Sequence, residues 1–156
     1  MLVSRDMSDD YMQMALEQAR KAAEAGEVPV GAVLVADDGR ILAQAQNQMR
    51  ALHDPTAHAE ILAMRQACER QGNERLTGCS LYVTLEPCPM CAGAIAEARL
   101  AKLFYGAADI KGGAVDNGVA LFDQKSCHHA PQVIGGLRES ECAALLKDFF
   151  ALRRNG

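Results

Sequence analysis

The chain has 156 residues, 49% apolar and 23% charged, with a net charge of −4. That length suits one domain with a real core and is short for two, so residues 1–156 are read as a single domain. The acidic balance argues against binding nucleic acid through the overall field and leaves that task to a local basic patch.

The first element is an amphipathic helix. Ser8-Asp9-Asp10 places acids in its first turn, Met12, Ala15, Leu16, Ala19 and Ala23 recur at 3/4 spacing, and Gly26 ends it. Val28 to Val35 is an almost unbroken apolar run, and Asp37-Asp38-Gly39 turns the chain into Ile41 to Asn47, which predicts a hairpin. Its first strand is expected to be buried on both faces and its more polar second strand to lie nearer an edge.

His53-Asp54-Pro55-Thr56 carries capping and proline start signals for a helix reaching about Gly72, with Asp54 or Thr56 as its cap. Leu81 to Leu85 is a short β-prone run stopped by Pro87, and Pro89 suits the first turn of a following helix. Lys102 to Gly106 reads as another strand. From Gly112 to Pro131 the pattern is weak, and a loop with at most one short helix is expected. Val133-Ile134 predicts a last short strand, and Glu139 to Arg154 a closing helix. Strands separated by helices and opened by a hairpin predict an α/β fold with helices on both faces of a sheet.

The opening Met1 to Asp6 has no long apolar segment, and nowhere do about 18 apolar residues run together, so neither a secretion signal nor a membrane span is expected. Six cysteines without such a signal fit a reducing compartment, hence the cytoplasm. Cys68 and Cys142 fall in helical patterns as small buried hydrophobes. Cys88 and Cys91 differ. In a helix starting near Cys88 their sulfurs share one face at its positive end, which favours thiolates. A lone C-x-x-C fits a redox pair as well as a metal site.

His58-Ala59-Glu60 separates these readings. On a helix His58 and Glu60 point about 200° apart, yet both can reach a site beyond its N-terminus. Two helix starts then converge, and His58, Cys88 and Cys91 give zinc three ligands and an open position for water. Two thiolates cancel the formal charge of the ion, which makes a nearby carboxylate useful as proton acceptor, and Glu60 suits that role. H-x-E with P-C-x-x-C is the signature of zinc nucleobase deaminases. His53 fits no ligand spacing, and His128-His129 adjoins the unpatterned loop as surface or substrate-side histidines.

With these motifs in view, the chain resembles the bacterial tRNA-specific adenosine deaminases of the cytidine-deaminase-like superfamily. The likeness also takes in Glu27 to Val33, Asp54 to Ala57, Ala92 to Ile95, and Glu141 to Leu146 with Phe149-Phe150. It implies a three-layer α/β/α fold with a five-stranded mixed sheet, a homodimer, and zinc-dependent hydrolysis of adenosine to inosine at the wobble position of a tRNA anticodon stem-loop. It assigns zinc to His58, Cys88 and Cys91, proton transfer to Glu60, and base contacts to Asn47 with Val30 and Ala59 around it. Arg153 and Arg154 are expected to meet RNA phosphates. The sequence departs from the family pattern at Ala108, Gly112 and His128 and matches weakly from Val115 to Pro131. A deaminase of a free base or nucleoside such as guanine, cytosine or cytidine, and a non-catalytic zinc or redox module, are the alternatives.

Overall fold

The computed structural model describes residues 6–155, with side chains up to residue 153. Helix α1 spans Ser8–Glu24, strands β1 and β2 span Gly31–Val35 and Ile41–Gln46, and a short helix α2 covers Met49–Leu52. Helix α3 spans Ala59–Gln71, β3 Ser80–Leu85, α4 Pro89–Glu97 and β4 Lys102–Ala107. A single 3-10 turn at Leu121–Asp123 interrupts the long loop before β5, Gln132–Ile134, and α5, Glu139–Asn155. Among the described residues, no helix is long and apolar enough to cross a membrane.

The five strands form one sheet in the order β2-β1-β3-β4-β5. Strand β1 is antiparallel to β2 and β3, whereas β3, β4 and β5 run parallel. As expected, β1 is buried along its whole length and β2 lies at the edge. Side chains of successive strand residues alternate between faces, and this alternation divides the core in two. Ala32, Leu34, Leu81, Val83, Leu103 and Tyr105 face α3 and α4, together with Ala63, Ala67 and Ile95. Val33, Val35, Tyr82 and Phe104 face α1 and α5, packing on Met12, Leu16 and Cys142. The result is the three-layer sandwich expected of the fold.

Two glycines set the spacing of one layer. A Cβ on Gly31 would run into the Ala15 carbonyl and Ala19 amide of α1, and one on Gly106 into Cys142 of α5. The backbones therefore approach more closely than any side chain allows.

The structure corrects two local expectations. Helix α3 begins at Ala59 with His58 at the N-cap, and neither Asp54 nor Thr56 caps it. Asp54 is engaged nearer home, accepting the Thr56 N–H at 2.8 Å and the Thr56 hydroxyl at 2.7 Å, which closes a turn ahead of the helix. Cys142 is buried as expected, but Cys68 is only partly so.

Candidate active site

Both helix starts that the motifs predict converge at one end of the sheet. His58 and Cys88 each occupy an N-cap in extended conformation, with φ/ψ of −72°/152° and −74°/173°, immediately before α3 and α4. Pro89 follows at the first helical position, where its missing N–H is harmless. Cys91 lies in the first turn of α4 and is fully buried.

His58 Nδ1 lies 3.6 Å from Cys88 Sγ and 3.5 Å from Cys91 Sγ. All three donor atoms lie within 4.8 Å of one another, and they are the only such metal-ligand group among the described residues. Bond lengths of about 2.3 Å to sulfur and about 2.05 Å to nitrogen in a tetrahedron require an N···S edge of about 3.6 Å. The residues therefore fit zinc in both donor chemistry and spacing. They supply three donors, as a catalytic site does.

The electrostatics point the same way. The hydrogen bond from Cys91 lowers the Cys88 thiol to about 4; burial opposes this and His58 assists it. Cys91, as the donor of that bond and a buried group, is pushed up. His58 is raised, first by its hydrogen bond to Cys88. A thiolate thus sits between two positively polarised helix ends, ready to receive a cation.

Glu60 is buried, 4% exposed, in the first turn of α3. Burial pushes its carboxyl above the usual range. A divalent cation in the adjoining donor set would pull the carboxyl back down.

These groups open onto a cavity of about 150 Å³ whose lining includes Val30, Asn47, His58, Glu60, Cys88 and Asp109. A larger hollow of about 590 Å³, flanked by Tyr11, Tyr82 and Phe104, lies elsewhere and contains no metal-ligand group among the described residues.

Asn47 and Val30 both line this cavity. Asn47 Oδ1 accepts the Ala59 N–H at 2.8 Å and its Nδ2 donates to the Val28 carbonyl at 3.1 Å, so Asn47 also fixes the start of α3. One N–H and one lone pair of the amide remain for a ligand. Ala59 is fully buried with its N–H committed to Asn47, so it supports the site from behind.

Arg153 packs against Gly26, donating to its carbonyl at 2.7 Å with its guanidinium 4.4 Å over the Phe149 ring. The Arg154 side chain lies outside the described residues. His128 and His129 line a separate hollow beside α4, and His129 Nε2–H donates to the Leu100 carbonyl at 2.7 Å.

Sequence reasoning missed two buried carboxylates. Glu27 accepts the Arg50 and Ala51 N–H groups at 3.1 and 2.8 Å and so holds α2. Glu86 accepts five hydrogen bonds from the loop after β4. The signal available for Glu86 was an acid placed directly against Pro87 at the end of an apolar strand.

Comparison with known proteins agrees with this geometry. The family profile for the cytidine and deoxycytidylate deaminase zinc-binding region matches residues 5–107. The tRNA-specific adenosine deaminase of Agrobacterium fabrum is 58% identical over 144 residues, covering 92% of this chain and 94% of that protein. The corresponding protein of Bacillus subtilis is 46% identical over 140 residues, covering 90% of this chain and 86% of the relative. A solved structure from studies of A-to-I editing by tRNA:A34 deaminases at the wobble position is 58% identical with a TM-score of 0.86, covering 88% of this chain and 99% of that one.

Proposed function

Because the chain belongs to the zinc-dependent cytidine and deoxycytidylate deaminase family, alongside its tRNA-specific adenosine deaminases, we propose that it hydrolyses adenosine to inosine at the wobble position of a tRNA anticodon. Water adds at C6 of the base, the exocyclic amine leaves as ammonia, and a carbonyl remains. His58, Cys88 and Cys91 would hold zinc, which would supply the Lewis acidity that makes water a nucleophile near neutral pH. Glu60 accepts the proton that the attacking water gives up, delivers it to the adjacent ring nitrogen, and then moves a proton to the departing amine. Asn47 orients the base with the half of its amide that α3 leaves free, and Val30 packs against it.

The observation that carries this reading is the buried Glu60 carboxylate beside a three-donor zinc set at the wall of one cavity. A structural zinc site has no need of such a base. The whole chain acts as one deaminase domain, working in the cytoplasm as a homodimer. Six unpaired cysteines support the reducing compartment, and the family resemblance supports the dimer.

The test compares inosine formation in an anticodon hairpin with ammonia release from free adenosine, guanine and cytosine. The hairpin is expected to react far faster, because its loop presents an unstacked base and its phosphates add binding energy. Efficient turnover of a free base with an inert hairpin overturns the substrate assignment. Glu60→Gln should keep zinc and lower turnover by about 10² to 10⁴; turnover near wild type removes Glu60 from the proton path.

A further inference from the structure

We propose that Glu86 is a positioning residue for this reaction: its buried carboxylate clamps the loop 109–117 onto the turn that carries Cys88 and so fixes the Asp109 wall of the substrate cavity. The assignment rests on the deaminase reading above. Glu86 directly follows the last residue of β3, two residues before the first cysteine ligand, and is only 2% exposed. Its Oε2 accepts three successive amides, those of Val115, Asp116 and Asn117, at 3.1, 2.9 and 3.0 Å. Its Oε1 accepts the Asp109 amide at 3.0 Å and the Asn117 Nδ2 at 2.7 Å.

The loop is held on both sides of this carboxylate. Ala114 N–H donates to the Pro87 carbonyl at 2.9 Å, and the Tyr105 hydroxyl donates to the Asp116 carboxylate. Gly113 passes so close that a Cβ there would lie 2.6 Å from Glu86 Cδ. A buried charge is stable only when its acceptor capacity is filled, and here one irregular loop fills it. The carboxylate therefore dictates the shape of a segment whose sequence shows no pattern of its own. Asp109, at one end of that segment, lines the cavity together with Glu86, Cys88 and Glu60. Any displacement of the loop moves the substrate wall while leaving the zinc donors on their own helices.

The experiment uses the zinc-loaded full chain and the variants Glu86→Gln, Asn117→Asp and Asn117→Ala. For each, zinc content, kcat and KM on an anticodon hairpin, and hydrogen exchange over residues 109–117 and 59–71 are measured. A glutamine amide turns donors toward donors on one side or the other. Glu86→Gln should therefore raise the hairpin KM about tenfold or more, with kcat changed by less than about threefold. Zinc content should stay at wild-type level, and exchange should rise in 109–117 alone. Asn117→Asp, which sets a second carboxylate against the first, should follow, and Asn117→Ala should show the smallest rise. Both Asn117 variants keep the buried carboxylate, so they decide the matter if Glu86→Gln fails to fold. An unchanged KM in Asn117→Asp and in folded Glu86→Gln overturns the proposal. Loss of zinc and kcat at constant KM overturns it too, making Glu86 a support of the metal turn instead. A wild-type protein inert toward the hairpin overturns the deaminase reading itself, and this assignment with it.

Discussion

Replacing Asn47 with alanine tests whether the first turn of α3, and with it His58 and Glu60, hangs on one side-chain amide. Asn47 is 5% exposed and the Ala59 N–H it accepts is completely buried. Alanine leaves that donor without a partner and without water, which costs about 1–3 kcal/mol. The Val28 carbonyl is less affected, because it also accepts the Val30 N–H at 2.8 Å. Loss of its second bond adds about 0.5–1.5 kcal/mol. The expected destabilisation is therefore about 1.5–4.5 kcal/mol. Asn47→Asp keeps an acceptor for Ala59 and adds a negative charge at the positive end of α3, worth about 0.3–1 kcal/mol. It loses the bond to Val28, so it should fall between alanine and wild type. Urea unfolding at one fixed zinc concentration measures the three proteins on the same footing, since bound metal shifts apparent stability. An alanine variant within about 0.5 kcal/mol of wild type would falsify the clamp and leave Asn47 as a ligand contact only.

Cys88→Ala and Cys91→Ala should each lower zinc from about one per chain and reduce stability, because metal binding is coupled to folding; metal analysis showing full retention in both removes the pair from the site. The Glu86 carboxyl is buried, which disfavours its charge, yet the donors from Asp109, Asn117 and Val115 hold it below the ordinary value of 4.5. A depressed folded-state pKa contributes stability that is complete above pH 4.5 and is lost as the pH falls through the lower folded value. Wild type should therefore lose stability below that pH more steeply than Glu86→Gln, and parallel acid profiles would contradict the hydrogen-bond account. Arg153→Ala with Arg154→Ala should raise the hairpin KM and flatten its salt dependence without loss of zinc, by about one in the log-log slope for each phosphate contact removed. An unchanged slope would confine Arg153 to holding Gly26 and Phe149.

What the sequence alone determined was local. The almost unbroken apolar run of Val28 to Val35, the stop at Pro87, proline at the first position of α4 and the spacing of Cys88 and Cys91 each act within a few residues. The hairpin, the strand-turn-helix and the zinc donors were legible for that reason. His58 and Glu60 were legible as a pair, but their helix start was misplaced. Asp54 satisfied its own turn, and the α3 donor was met by Asn47, twelve residues back. Only the tertiary structure decided the remainder. Helix α2 is too short to declare itself by periodicity, and Glu27 holds it from outside. The loop after β4 has neither a strand nor a helix period because Glu86, more than twenty residues earlier, satisfies its amides in place of a ladder. Beyond its place before Pro87, a glutamate that accepts five hydrogen bonds carries no mark of them in the sequence, since its acceptors are filled by donors that only folding brings to it.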